Sequence, residues 1–223
     1  MAVRSVPSAA SVAHPKDGKL FAESAARNLA PLCDLLQQVA PPQGRRALEL
    51  ASGTGQHVIG YASRLPDFTW QPSEADPVRL DSINAYIAAT DLTNIRTATL
   101  LDATAVGWGA GQHPQDLIVL STLLHLISSA AAQHLIPEAA VALAPQGRLV
   151  IYGPFSRGGE LTSPGDRSFH CALTAHDPET GYKDDFDVLD WGEAVGLRTA
   201  QVVEMPANNL ALVFCKEAPQ PDG

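Results

Sequence analysis

The chain has 223 residues, 45% of them apolar, and its 24 acidic against 15 basic residues give a net charge of −9. That apolar share can bury one sizeable core, while the negative balance is the wrong sign for neutralising nucleic-acid phosphates over a broad surface. Cys33, Cys171 and Cys215 are too few and too widely spaced for a disulfide framework or a paired-cysteine zinc site, and they fit a reducing compartment.

Residues 1–17 are small, polar and proline-containing, and they read as a flexible N-terminus without the apolar centre of a signal peptide. No stretch reaches the roughly 18 consecutive apolar residues of a membrane span, so a cytoplasmic protein with no membrane or nucleic-acid partner is expected. "ESAARNLAPLCDLLQQVA" has apolar residues at helical spacing and stops at Pro41 and Pro42. From residue 45, strand-like runs at 46–50, 68–74, 95–101, 116–121 and 147–153 alternate with helices at 56–65, 77–89 and 129–143. This alternation predicts an α/β fold, a mostly parallel sheet with helices on both faces. After 153 comes about thirty residues with little periodicity, 154–183, long enough for a lid-like insertion. A helix near 184–195 then leads to "LRTAQVVEM" and "LALVFCK", joined by "PANN". Asn208 and Asn209 tolerate left-handed backbone, so these runs predict a closing antiparallel hairpin and a seven-stranded sheet. Residues 18–216 form a single domain on this reading, with 217–223 a flexible tail.

"LELASGTGQH", residues 48–57, places small residues between the first strand and its helix, where open α/β sheets meet their ligands. It is not a dinucleotide fingerprint: Gly53 and Gly55 supply G-x-G, but Val58 stands where the third glycine belongs. No Gly-Lys-Ser/Thr follows, so it is not a phosphate loop either. A carboxylate beyond the second strand, Glu74, lies 19 positions after Gly55, as ribose recognition requires.

With Glu49 just upstream, "LELASGTG" resembles the first motif of class I S-adenosylmethionine-dependent methyltransferases. "FAESAARN", "LELASGTGQH", "WQPSE", "YGPF" and "EMPANNLALVF", in that order, more narrowly resemble the methyltransferase-like 26 family over residues 20–216. The resemblance implies a Rossmann-like class I methyltransferase fold and S-adenosylmethionine as cofactor. It implies that Glu49 stands near the cofactor's cationic amino group, with Ala51, Ser52, Gly53 and Gly55 forming the turn beneath. Glu74 would accept hydrogen bonds from the ribose hydroxyls, and Asp102 with Ala103 would hold the adenine amino group. Ser121, Arg27 and Asn28 would complete the pocket. His57 would contact cofactor or cap backbone.

Methyl transfer from a sulfonium is an in-line displacement, so positioning matters more than acid strength, and a base is needed only for a protonated nucleophile. His125, in "STLLHLIS", follows the fourth strand, where many methyltransferases place a substrate-facing residue, and a histidine there is expected to accept a proton at neutral pH. Tyr152 and Phe155 of "YGPF" would wall the acceptor site. His170 and His176, with Asp177, are a weak metal pattern, and no metal site is assigned. The expected function is methyl transfer to a small-molecule oxygen, sulfur or nitrogen acceptor; a catalytically silent cofactor-binding partner protein is the alternative. An NAD-dependent oxidoreductase is disfavoured by Val58 and the terminal hairpin.

Overall fold

The structure is a computed structural model that describes residues 12–13 and 17–218. Seven strands form its main sheet: β1 (Arg46–Leu50), β2 (Thr69–Glu74), β3 (Thr99–Leu100), β4 (Gln115–Ser121), β5 (Leu143–Gly153), β6 (Leu197–Met205) and β7 (Asn209–Lys216). From edge to edge they lie in the order β6, β7, β5, β4, β1, β2, β3. Pairing is parallel from β5 to β3, whereas β7 runs antiparallel to both β5 and β6. The chain builds outward from β1 to β3 and then sets β4 on the other side of β1. At such a reversal, beyond the carboxyl ends of β1 and β4, open α/β sheets bind their ligands.

Six α-helices are formed among the described residues: α1 (Glu23–Val39), α2 (Gln56–Arg64), α3 (Pro77–Ala88), α4 (Ser129–Ala142), α5 (Pro164–His176) and α6 (Asp185–Ala194). Alternate strand residues point to opposite faces. Ala47, Trp70, Leu117, Val119 and Val150 meet Leu32, Leu36, Tyr61 and Ile83 from α1 to α3. Leu48, Leu50, Ile118, Leu120 and Ile151 meet Leu135, Ile136 and Val188 from α4 and α6 on the other face. Burial on both faces accounts for the near-continuous apolar sequence of β1 and β4. The Asp76 side chain caps α3 by accepting from Val78 N at 2.9 Å, with Pro77 in the first turn, where a missing N–H costs nothing. Among the described residues no helix is long and apolar enough to cross a membrane.

Several sequence expectations are corrected. The strand expected over 95–101 shrinks to Thr99–Leu100 with an isolated bridge at Ile95, because this edge lies exposed and has little to pack against. β5 starts at Leu143, directly after α4, with Gln146 at φ 65 inside it. In the hairpin the left-handed residues are Ala207 and Asn208, at φ 59 and 60. Asn209 instead opens the ladder opposite Met205. The segment 154–183 is more regular than its composition suggested. A capping box between Ser163 and Asp166 starts α5, and Phe155–Ser156 pairs in parallel with Lys183–Asp184. Most of the expected flexible N-terminus, and residues 219–223, lie outside the described residues. Val12–Ala13, within them, pairs antiparallel with Phe21–Ala22.

Candidate active site

The turn after β1 has Ala51, Gly53 and Gly55 in left-handed backbone, at φ 50, 60 and 94. At Gly55 an added Cβ would also lie 2.7 Å from Ile83 Cα, so backbone conformation and the approach of α3 both demand glycine. Ser52 N donates to Ser73 O at 2.8 Å, and Ser73 Oγ donates to Glu49 O at 2.8 Å, tying the turn to β2. Glu74, at the end of β2, closes the frame. Its Oε2 accepts from Gly53 N at 2.9 Å, and its Oε1 accepts from Ala75 N at 2.9 Å and Asp76 N at 3.3 Å. The chain ahead of α1 is strapped to the same turn. Leu20 N donates to Ser82 Oγ, which donates to Thr54 O, both at 2.7 Å, and Ala22 N donates to Gln56 Oε1 at 2.7 Å.

Glu49 is a carboxylic residue inside an otherwise apolar strand interior, only 1% exposed, and its Oε2 has no hydrogen-bond partner. Burial pushes its carboxyl up to about 8; the neighbouring Ser52 hydroxyl, which donates to the Glu49 main-chain carbonyl at 3.3 Å, opposes this, and the Glu74 charge adds to it. Tyr61 of α2 shares a 3.2 Å hydrogen bond with Ser121 Oγ at the end of β4. Burial, then the charge of Glu49, drives the Tyr61 hydroxyl well above its ordinary range. His57 stacks on Tyr61 with ring centroids 5.6 Å apart, and its Nε2 donates to Ala25 O of α1 at 3.2 Å. Burial holds His57 down to about 4, so it is neutral at neutral pH. Asn28 is buried on α1 and Arg27 is exposed on it. Tyr152, at the end of β5, accepts from Asn209 Nδ2 at 3.0 Å. Burial pushes its phenol up to about 12, against the Asn209 bond and the Arg27 charge.

The structure thus groups Glu49, the Ala51–Gly55 turn and Glu74, and joins Ser121 to Tyr61. Asp102 follows Leu101, whose N–H donates to Glu74 O at 3.0 Å; it is exposed, and its Oδ1 accepts from Thr104 N at 2.9 Å and Thr104 Oγ1 at 2.6 Å. Ala103 is buried, its carbonyl accepting from Trp108 Nε1 at 3.0 Å.

His125 lies in a short helical turn after β4, buried, with Nδ1 unpartnered. Burial, then the nearby Lys183 charge, pushes it down to about 3, so its imidazole is neutral. Its ring meets Phe169 and Tyr182 edge-on at centroid distances of 5.6 and 6.4 Å. Lys183 Nζ donates to Ile127 O at 2.7 Å and Gly181 O at 2.9 Å, while Gly181 N donates to His125 O at 3.0 Å. These bonds fasten the segment carrying α5 to the loop after β4. Burial holds the Lys183 ammonium down to about 8. Thr122 sits at φ 56, uncommon for a β-branched residue and a form of strain that clusters at functional sites, fixed by its N–H donating to Tyr152 O at 2.7 Å. Phe155 is buried in the core against α6 rather than lining the mouth.

His170 and His176, six residues apart on α5, project about 120° from one another. His170 Nδ1 accepts from Tyr182 N at 3.1 Å, and among the described residues no group of three or more His, Cys, Asp or Glu is placed to hold a metal. Sequence reasoning missed Tyr61, Phe169, Tyr182, Lys183 and Asn209. Tyr61 lies one helical turn after His57 and Asn209 lies within a quoted block, so both carried a signal. Nothing in the local sequence marked Lys183.

A family model described as "Protein of unknown function (DUF938)" matches residues 19–216. Among solved structures, the chain resembles an O-methyltransferase family protein from Burkholderia thailandensis, with TM-score 0.77 and 18% identity over 89% of this chain and 59% of that one. It also resembles human N-acetylserotonin methyltransferase in complex with SAM, at TM-score 0.67 and 14% identity over 85% of this chain and 55% of that one. A third is PigF with SAH, at TM-score 0.71 and 16% identity over 86% and 56%. The chain therefore spans less than two thirds of the length of these structures, and at such identities the likeness shows the shared class I methyltransferase fold.

Proposed function

The chain belongs to the DUF938 family, and from that premise we propose that it is an S-adenosylmethionine-dependent methyltransferase acting on a small-molecule acceptor. We read its five sequence blocks as kinship with the methyltransferase-like 26 family. The observation that carries the proposal is the Glu49 carboxyl, buried with an unpartnered oxygen where the strand order reverses. A cationic amino group would supply the counter-charge that the buried carboxyl lacks. A pyrophosphate would not, being itself negative. This fit also disfavours the oxidoreductase alternative.

On this proposal Glu49 pairs with the cofactor's amino group and the Ala51–Gly55 turn lets backbone approach it closely. Glu74 takes a ribose hydroxyl. Asp102 and Ala103 flank the adenine, while Ser121, Asn28 and Arg27 close the pocket and His57 fixes α1 to α2 behind it. The bound cofactor supplies a methyl group on an electrophilic sulfonium. His125 stays neutral and orients the acceptor through a hydrogen bond rather than taking its proton, since an imidazole held near 3 is too weak a base at neutral pH, and Tyr152 walls the acceptor site. The 154–183 segment covers that side by bringing Phe169 and Tyr182 against His125. The free thiols of Cys33, Cys171 and Cys215 accord with work in the reducing cytoplasm.

Isothermal titration of protein stripped of copurified ligand tests this reading. S-adenosylmethionine and S-adenosylhomocysteine both bind if it is right, and absence of binding by both refutes it.

A further inference from the structure

Resting on that reading of the cofactor site, we propose that Glu49 is a charge-selecting residue: it is a neutral acid in the free protein and surrenders its proton to solvent when a ligand ammonium arrives. The site thereby discriminates by charge between ligands that share one nucleoside.

The surroundings of Glu49 leave little choice. An ionised carboxylate taken out of water needs a counter-charge or a full set of donors. From the turn, the Ser52 hydroxyl donates to the Glu49 main-chain carbonyl at 3.3 Å, and Oε2 has no partner. From β2, Glu74 presents a like charge, and from α2, Tyr61 presents a hydroxyl already shared with Ser121. His57, behind Tyr61, is neutral at physiological pH and donates to a backbone carbonyl, so it contributes no positive charge. From α1, Cys33 is a buried thiol, and Arg27 directs its charge to Tyr152 of β5. The ion pairs formed among the described residues leave Glu49 out. Protonation removes the charge that these surroundings leave uncompensated, in keeping with its upward displacement to about 8.

A ligand ammonium reverses the balance by supplying the missing charge. The carboxyl O–H then breaks, its electron pair stays on Oε2, and the proton passes to buffer. A nucleoside thioether without an amino-acid arm offers no such exchange and leaves the acid neutral.

The test is titration calorimetry of the whole chain between pH 6 and 7.5, in buffers of differing ionisation enthalpy. S-adenosylhomocysteine is compared with 5′-methylthioadenosine, which has the nucleoside and sulfur but no ammonium. We expect close to one proton released per S-adenosylhomocysteine and an affinity rising nearly tenfold per pH unit, with neither effect for 5′-methylthioadenosine. Glu49→Gln should abolish the proton release and flatten the pH dependence while leaving 5′-methylthioadenosine binding intact. Binding of both ligands with equal proton release, or of S-adenosylhomocysteine with none, overturns the proposal while the cofactor assignment stands. Failure of both ligands to bind the unaltered chain overturns the two together.

Discussion

Glu74 reaches back across the end of the sheet to Gly53, and the 2.9 Å bond from the glycine amide to Oε2 makes this carboxylate the clasp of the turn. A carboxylate offers about four lone-pair sites. Three are taken by Gly53, Ala75 and Asp76, which leaves one for a ligand hydroxyl. Glu74→Ala should weaken S-adenosylhomocysteine binding by about 1–3 kcal/mol and lower the melting temperature, since three backbone N–H groups lose an acceptor together. An unchanged dissociation constant would remove Glu74 from the ligand site.

The two glycines of the turn should respond differently to alanine. Gly55→Ala combines left-handed backbone with a contact against Ile83 Cα, and should cost about 2–4 kcal/mol in urea unfolding. Gly53→Ala meets nothing closer than 3.9 Å and should cost only the conformational part, roughly 1–2 kcal/mol.

Stability of the ligand-free protein should peak near pH 6.5. His57 and His125 are held at about 4 and about 3, so below roughly pH 6.5 the unfolded chain binds up to two protons that the fold refuses, and acid destabilises. Glu49, raised to about 8, acts in the opposite sense: the fold keeps a proton that the unfolded chain releases, so stability falls as pH rises towards 8. Each proton contributes roughly 1–1.5 kcal/mol per pH unit across its window. Urea midpoints measured from pH 4.5 to 8 should rise and then fall, and Glu49→Gln should remove the fall.

Lys183→Met deprives Ile127 O and Gly181 O of their donor and removes the positive charge beside His125. The melting temperature should drop, and the His125 imidazole, followed by NMR, should titrate at higher pH than in the unaltered protein. A lower stability with an unmoved histidine would show Lys183 to be a fastener alone.

His125→Ala should bind S-adenosylhomocysteine as the unaltered protein does. Turnover should fall by about tenfold, as for losing one positioning hydrogen bond, because the neutral imidazole orients the acceptor and is too weak a base to deprotonate it. Full activity would exclude the histidine from holding the acceptor.

Much of the frame was legible because its causes are local. Alternating apolar runs specify a buried parallel sheet, and Glu49 stands out as the one acid within "RALEL". The strand at 95–101 was overread because edge exposure is a tertiary fact that residue preferences do not contain. The helix at Pro164–His176 was underread although "SPGD" holds a cap, a first-turn proline and a returning carboxylate. The partners of His125 could not be foreseen at all: Phe169, Tyr182 and Lys183 arrive from more than forty positions away, and only the folded segment brings them to it. Asp102 was placed correctly at its strand end, yet its side chain answers to Thr104 two residues on, a bond that spacing alone does not foretell.

The relay from the Leu20 amide through the Ser82 hydroxyl to the Thr54 carbonyl, with Ala22 held by Gln56, makes the approach to α1 and the glycine turn one cooperative opening unit. Anything that steadies the turn should slow deuterium uptake at two amides lying outside it. Occupancy could then be followed at Leu20 and Ala22 even for a compound that is never turned over.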